Sequence, residues 1–360
     1  MESIYIHVPF CKNICSYCDF CKMFYTAKDA ERYLESLRNE VEEYYLNEEI
    51  KTIYIGGGTP SVLNPNELNK LFEIIKLINK TSDCEITFEC NPEDINDLLI
   101  NILKVGGVNR ISIGVQSFNQ EKLAFMERKN NYEDLKKKIE IIRNKGINNI
   151  NLDLMYGIPN EGLETLKKDL KMILKLNPEH ISTYSLIIED STKIKIKGEK
   201  NIAEDKEAEM YRYICKKLKA KGYNYYEVSN FAKDGYFSKH NLNYWNNEEY
   251  YGFGLGAAGY MNGFRYENTK NIDAYCQGNY RLNEALLSKQ ETMEYELMLG
   301  LRKTEGISLQ EFFDKFEVNI QEVFPVEPLV KNKDLIYKNG RIFINPDKIY
   351  IMNEILLKLI

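Results

Sequence analysis

No run in the sequence approaches the ~20 apolar residues that a membrane-spanning helix needs. That lack excludes a spanning helix and leaves only transient membrane association open. A basic surplus is also missing: 48 lysines and arginines stand against 54 aspartates and glutamates, a net charge of −6. Such a balance argues against nucleic acid as the main partner. Neither a Walker-type phosphate loop nor a Ser–His–Asp arrangement is found, which sets aside the common nucleotide-hydrolysing and acyl-transfer sites. There is no solenoid-type repeat and no low-complexity segment. Histidine is scarce, with three residues, and Trp245 is the single tryptophan. The chain opens on the alternating Ser3-Ile4-Tyr5-Ile6-His7-Val8, without a basic region or cleavage site. No signal peptide is therefore expected, and a cytoplasmic location is.

What is present is a regular alternation of short β-branched runs and longer amphipathic stretches. Strands are predicted at Ser3–Val8, Thr52–Gly56, Glu85–Cys90, Arg110–Val115, Ile150–Met155 and His180–Leu186. Helical spacing falls between them at Ala30–Leu46, Glu67–Ile78, Ile95–Lys104, Tyr132–Asn144 and Leu163–Leu176. Alternation of this kind predicts βα units and a parallel sheet, hence an α/β fold. Periodicity leaves a doubly wound sheet and a partial barrel both open. The polar residues of interest fall at the C-terminal ends of successive strands, where barrel sites assemble. The lysine-rich Lys193–Lys200 stretch reads as a solvated loop. A helix is expected over Glu204–Lys221 and a strand over Tyr223–Val228, and the glycine-rich Gly252–Gly263 reads as loop or tight turn. A helix from Glu291, a second opened by Ser308 and a hairpin around Tyr337–Ile344 complete a small C-terminal unit.

Four of the eight cysteines lie within eleven residues of one another. Cys11, Cys15 and Cys18 have C-x3-C-x2-C spacing in a loop directly after the first strand. In a reducing compartment such clustering points to metal or redox chemistry. Three thiolates suit a [4Fe–4S] cube with one iron left open. An open iron can bind the amino and carboxylate groups of S-adenosylmethionine (SAM), and an electron from the cluster can then break a C–S bond to yield a 5′-deoxyadenosyl radical. A four-cysteine zinc site would need a second knuckle, which is missing. A closed electron-transfer cluster could recruit Cys21. Cys84, Cys90, Cys215 and Cys276 are scattered and read as small buried hydrophobes.

The run Tyr5-Ile-His7-Val-Pro9-Phe10-Cys11-x3-Cys15-x-Tyr17-Cys18-Asp19-Phe20 resembles the radical SAM subfamily of oxygen-independent coproporphyrinogen III oxidases and their heme-chaperone relatives. The resemblance extends from Tyr5 through the small C-terminal unit. It implies a partial (β/α)6 barrel of radical SAM type over residues 1–220, a connecting region over 221–288, and a smaller α+β C-terminal domain over 289–360. It assigns the cluster to Cys11, Cys15 and Cys18. It also places Gly57, Gly58 and Thr59 of the Gly56-Gly57-Gly58-Thr59-Pro60 turn on SAM, together with Glu89, Gln116, Arg128, Asp153, Tyr5 and Tyr17. These supply carboxylates and an amide for ribose hydroxyls and a guanidinium for the SAM carboxylate.

His7 and His180 read as structural. His240 begins His240-Asn241-Leu242-Asn243-Tyr244-Trp245, an HNxxYW segment similar to that of the heme chaperones. Imidazole is a usual axial ligand of heme iron, and Tyr244 and Trp245 offer flat apolar contact. The resemblance thus implies a protein that binds heme and delivers it to acceptor heme proteins, with an electron donor for the cluster. The alternative is an oxygen-independent coproporphyrinogen III oxidase, a radical SAM decarboxylase of porphyrin metabolism. Two features speak against that activity: only four residues precede Tyr5, and Phe20 stands where the oxidases carry a further cysteine.

Overall fold

The computed structural model describes residues 1–360, which form two compact units. One comprises Met1–Met210 and Glu249–Ala285, the other Tyr211–Glu248 and Leu286–Ile360. The expected connecting region over 221–288 is thus divided between them.

In the first unit, β1 (Ser3–Val8) leads to a short parallel pair, β2 (Phe10–Cys11) and β3 (Met23–Phe24), and then α1 (Ala27–Tyr44). The βα units follow as β4 (Ile50–Gly57), α2 (Pro65–Lys76), β5 (Lys80–Cys90), α3 (Asp97–Val105) and β6 (Arg110–Gln116). Next come α4 (Gln120–Phe125), α5 (Tyr132–Asn144), β7 (Asn149–Tyr156), α6 (Leu163–Leu176) and β8 (His180–Ser185). Neighbouring strands β1, β4, β5, β6, β7 and β8 pair in parallel in that order. Polar caps start the helices locally. Thr26 accepts from the Asp29 amide at α1, Asn64 and Glu67 form a capping box at α2, and Asn96, Asn119 and Asn131 cap α3, α4 and α5.

Alternation along each strand sorts the side chains. Ile4, Ile6 and Val8 share a face with buried Ile53, Ile55, Ile86, Phe88, Ile111, Ile113, Ile150 and Leu152 of neighbouring strands. The opposite face carries Tyr5, Tyr54, Thr87, Glu89, Arg110, Ser112, Asn151, Asp153, His180 and Ser182, a polar set. Groups of this kind can be buried only where they bond to one another or to a ligand. Asn151 shows the pattern, donating to Ser112 Oγ at 2.8 Å and to Asp153 Oδ1 at 2.7 Å. Its own Oδ1 faces His180 Nδ1 at 2.6 Å and accepts from Ser182 Oγ at 3.0 Å.

Two sequence expectations need correction. The lysine-rich stretch is not simply solvated: α7 (Lys193–Ile196) inserts a fully buried Ile194 into a cluster with Leu123, Met126, Met155, Ile158 and Leu186. Residues 252–263 are strand as much as turn. After α8 (Glu204–Lys219), β9 (Asn224–Tyr225), β10 (Asn230–Ala232) and α9 (Lys239–Trp245), the strand β11 (Tyr251–Gly254) pairs in parallel with β1 and widens the sheet. It is followed by the antiparallel β12 (Ala258–Met261) and β13 (Phe264–Asn268), by α10 (Ile272–Cys276), and by β14 (Arg281–Leu286). The glycines are there for close approach: a Cβ on Gly252 would lie 1.9 Å from the Ala258 carbonyl oxygen. Cys84 and Cys90 are buried as expected, whereas Cys215 and Cys276 are only half-buried.

In the second unit, β9 and β10 form an antiparallel pair. α11 (Lys289–Gly300) is opened by a Ser288–Glu291 capping box, two residues earlier than its apolar spacing suggests. Ser308 ends β15 (Ile307–Ser308) and caps α12 (Leu309–Phe316). The expected hairpin is β16 (Leu335–Lys338) and β17 (Arg341–Ile344), joined at Asn339-Gly340.

Candidate iron–sulfur and SAM site

The cysteine loop leaves β2 and returns through β3, tied at both ends by backbone hydrogen bonds. Met23 N donates to Pro9 O at 2.8 Å and Tyr25 N to Cys11 O at 3.0 Å. Its middle is held from outside. Ser16 donates through its Oγ to Phe125 O at 2.7 Å, Ile194 N donates to Ser16 O at 3.1 Å, and Lys193 Nζ donates to Ile14 O at 2.9 Å. The segment that periodicity assigned to solvent is therefore a clamp on the cysteine loop.

Cys11, Cys15 and Cys18 are neighbours. Burial pushes the Cys11 thiol up to about 11, and negative charge on Cys18 and Cys15 adds to that. Cys18 is raised by burial and by Cys15. A cluster iron supplies the positive charge that such thiols require to ionise. Cys21 looks elsewhere: its Sγ lies 2.7 Å from where a Cβ on Gly256 would sit, and its charged neighbours are Lys270, Lys22 and Glu267. No three His, Cys, Asp or Glu side chains are arranged to cage a single metal ion. A cube makes a different demand, because each thiolate binds its own iron.

The glycine turn closes beside this loop. Gly57 has φ +116°, and a Cβ there would fall within 2.8 Å of the His7 ring. A Cβ on Gly58 would fall within 2.8 Å of backbone at Pro9 and Phe10. Both glycines are needed because the end of β1 and the start of the cysteine loop press directly against this turn. Thr59 Oγ1 donates to Cys11 Sγ at 3.6 Å and accepts from Asn91 Nδ2 at 3.2 Å. Arg128 is placed on the other side, with Nη1 3.6 Å from Cys15 Sγ and Nη2 donating to Gly114 O. Tyr17 packs on the Leu123–Met126 cluster and has Arg128 and Asp153 among its charged neighbours.

Glu89 accepts from Tyr54 Oη at 2.7 Å and from the Gly57 amide at 3.2 Å. Burial pushes its carboxyl up to about 7, with Asp153 adding to the rise. Asp153 is pushed up to about 6 by burial, against hydrogen bonds from Asn151 and Ser182. Gln116 sits at φ 63° in an irregularity of β6, and its buried Oε1 has no partner within the protein. An orphaned buried acceptor costs about 1–3 kcal/mol unless a ligand donates to it. A ribose hydroxyl would do so. Three adjacent thiols and an unsatisfied buried amide at the strand ends fit a cube with an open iron and a bound SAM. When present, that pair supplies reductive cleavage of a sulfonium C–S bond.

Tyr5 Oη lies 2.8 Å from His7 Nδ1, and His7 Nε2 lies 2.7 Å from Cys21 O. His7 is thus a strut between β1 and the cysteine loop. Sequence reading passed over Tyr54, Asn151 and Arg110, all of which the barrel brings to Glu89 or Asp153. Their signal was present in the alternation: polar residues at every second position of otherwise apolar strands.

The HNxxYW segment lies in the second unit, on α9, capped by Ser238. His240 is 1% exposed, and its Nε2 lies 2.8 Å from Tyr244 Oη, one helical turn on. The buried Asn243 Nδ2 and Trp245 Nε1 have no partner. The Arg302 guanidinium lies 5.7 Å from the Trp245 ring.

Fold and site together define a radical SAM protein. Residues 5–173 match the radical SAM superfamily and residues 287–346 the HemN C-terminal domain. The chain is 39% identical to the heme chaperone HemW of Lactococcus lactis subsp. lactis (strain IL1403), over 99% of this chain and 97% of that one. To HemW of Bacillus subtilis (strain 168) it is 40% identical, over 90% and 89%. At 20% identity, the solved structure of coproporphyrinogen III oxidase (HemN) from Escherichia coli, a radical SAM enzyme, matches with a TM-score of 0.87 over 99% of this chain and 89% of that one. This last likeness concerns the fold. The chain belongs to the HemW family.

Proposed function

We propose that this protein is a heme chaperone, which binds heme in its second unit and delivers it to acceptor heme proteins. The observation that carries the reading is near-full-length similarity to curated heme chaperones, at 39% identity over 97% of one of them. The HNxxYW helix supports it, since His240 is one of only three imidazoles in the chain. His7 and His180 are occupied inside the barrel. Ligation of heme iron by His240 replaces its hydrogen bond to Tyr244, so a rotation of the tyrosine accompanies loading. Arg302 beside Trp245 provides a cation for a propionate. Cys11, Cys15 and Cys18 hold the cluster, the turn at Gly57, Gly58 and Thr59 faces the methionine part of SAM, and Arg128 takes its carboxylate. Glu89, Gln116 and Asp153 accept from SAM hydroxyl and amine groups, while Tyr5 and Tyr17 border the ligand. An external electron donor serves the cluster.

The test is heme titration followed by transfer to an apoprotein acceptor, comparing wild type with His240→Ala. The variant should show a weakened or shifted Soret band and slower transfer, with cluster content and SAM binding unchanged. Equal stoichiometry, spectrum and transfer would mean that His240 is structural.

A further inference from the structure

The end of β6 departs from regular strand twice. From Ile113 to Gln116 it advances three residues while its partner β7 advances two, from Leu152 to Leu154, so one residue is bulged out of the ladder. Immediately afterwards Ser117 N donates to Val115 O at 2.8 Å across Gln116, whose φ is 63°. A bond that spans one residue of positive φ makes a γ-turn of the rare, strained kind. Glycine adopts such a turn freely, yet here a glutamine does. The Gln116 side chain lies back over its own strand: a Cβ on Gly114 would fall 3.3 Å from Gln116 Nε2 and 3.1 Å from Arg128 Nη2. The amide with the orphaned Oε1 is thus set beside the Arg128 guanidinium.

A backbone in this conformation persists only where its surroundings over-determine it. Both flanks of Gln116 are anchored from outside β6. On one side Asp169 of α6, 1% exposed, accepts from two consecutive residues. Ser117 Oγ donates to its Oδ2 at 2.5 Å and Phe118 N to its Oδ1 at 2.8 Å. On the other side Asn130 Nδ2 donates to Ser117 O at 3.1 Å and to Val115 O at 3.4 Å. Asp169 is itself fixed by Lys122 Nζ, 3.1 Å from Oδ2. Lys122 also donates to Glu161 Oε1 at 2.6 Å and to Met155 O at 2.9 Å. All three charged side chains are buried. Buried ion clusters are seldom more stable than apolar packing of the same volume, so stability alone does not account for this one.

We propose that Asp169 is a positioning residue of the SAM site: from α6 it holds Ser117 and Phe118 so that the turn at Gln116 keeps its amide aimed at the ligand. This rests on the reading of the strand ends as a SAM site with Gln116 in it. A carboxylate suits the task because its two oxygens accept at a fixed separation, matching a hydroxyl and an amide on successive residues. Released from Asp169, Gln116 returns to the negative φ that side-chain-bearing residues prefer, and its amide swings away.

The experiment is a double-mutant cycle on SAM affinity, measured by calorimetry on anaerobically reconstituted protein, with iron content determined for every variant. Wild type, Gln116→Ala, Asp169→Asn and the double variant are compared. Asp169→Asn keeps the shape and the acceptor for Phe118 N, but it removes the negative charge and turns a donor toward Lys122 or Ser117. Gln116→Ala should bind SAM about tenfold more weakly than wild type, and Asp169→Asn about five- to tenfold more weakly. The double variant should match Gln116→Ala within about twofold, because Asp169 acts through the amide that is already gone. Should Asp169→Asn fail to fold or to hold iron, Ser117→Ala takes its place, since it leaves Lys122 paired, and the same non-additivity is required. Losses that multiply in the double variant, or wild-type affinity in either single variant, overturn the proposal. Failure of wild type to bind SAM would instead overturn the SAM site itself.

Discussion

At the scale of single residues, the neighbours of each cysteine set the proposed cluster ligands apart from the others. Cys11, Cys15 and Cys18 lie together, whereas Cys21 turns to Gly256 and Lys270. Replacing any of the first three by Ala should abolish iron content and brown colour after reconstitution, and Cys21→Ala should keep most of both. Loss of the cluster in Cys21→Ala, with an EPR signal indifferent to SAM, would instead indicate a closed four-thiolate cluster. Asp153 is the cleanest probe of the proposed SAM pocket, because its hydrogen bonds go to Asn151 and Ser182 and not to the cysteines. Losing a hydrogen bond to a charged group costs about 1.5–3 kcal/mol, or roughly ten- to a hundredfold in affinity. Calorimetry on Asp153→Ala should show a loss in this range with the cluster intact. Unchanged affinity would remove Asp153 from the site.

At the scale of elements, polar ties add to the apolar contact that packs the helices on the sheet. Glu40 on α1 is the central case. It accepts from Gly254 N on β11 at 2.8 Å, from Tyr275 Oη on α10 at 2.6 Å and from Asn268 Nδ2 on β13 at 2.6 Å. One side chain thereby attaches the late segment 249–285 to the first helix of the barrel. Burial pushes the Glu40 carboxyl up from 4.5 to about 7. A carboxyl raised on folding stabilises the native state fully below its unfolded value, and that contribution is lost as pH rises through the folded one. Denaturant unfolding of wild type and Glu40→Gln should therefore differ with pH. Relative to the variant, wild type should lose about 2–3 kcal/mol between pH 5 and pH 8. A difference independent of pH would show that Glu40 is ionised throughout.

For the whole molecule, the likeness to coproporphyrinogen III oxidase concerns the fold alone, whereas the sequence similarity is to heme chaperones, and one assay separates the two activities. Two proteins can share a barrel and differ in what the barrel acts on, since function resides in the site. The reconstituted protein should bind heme and give no protoporphyrinogen from coproporphyrinogen III under anaerobic, reducing conditions. Slow SAM cleavage without a porphyrin product would fit that outcome. Conversion at enzymatic rates, followed by chromatography, would reassign the chain to the oxidases.

The sequence by itself determined the βα alternation, the cysteine motif and the caps, because these depend on near neighbours along the chain. A period of two or 3.6, a C-x3-C-x2-C spacing and an Asn before a helix are all local. It also marked Glu89, Gln116, Arg128 and Asp153 through resemblance, although nothing local says that they meet. Tertiary structure alone decided what depends on distant segments coming together. Gly252–Gly263 looked like a turn because strand propensity is low in glycine, yet the tight approach of Ala258 and Tyr266 requires those glycines in strands. Lys193–Lys200 looked solvated because six of its eight residues are charged or glycine, yet one of its two isoleucines, Ile194, docks on the cysteine loop. Nothing in the sequence marks Arg110, the first residue of a strand, as buried, and only closure of the sheet around it does so. Burial of a charge is a property of everything around it, and no window along the chain contains that information.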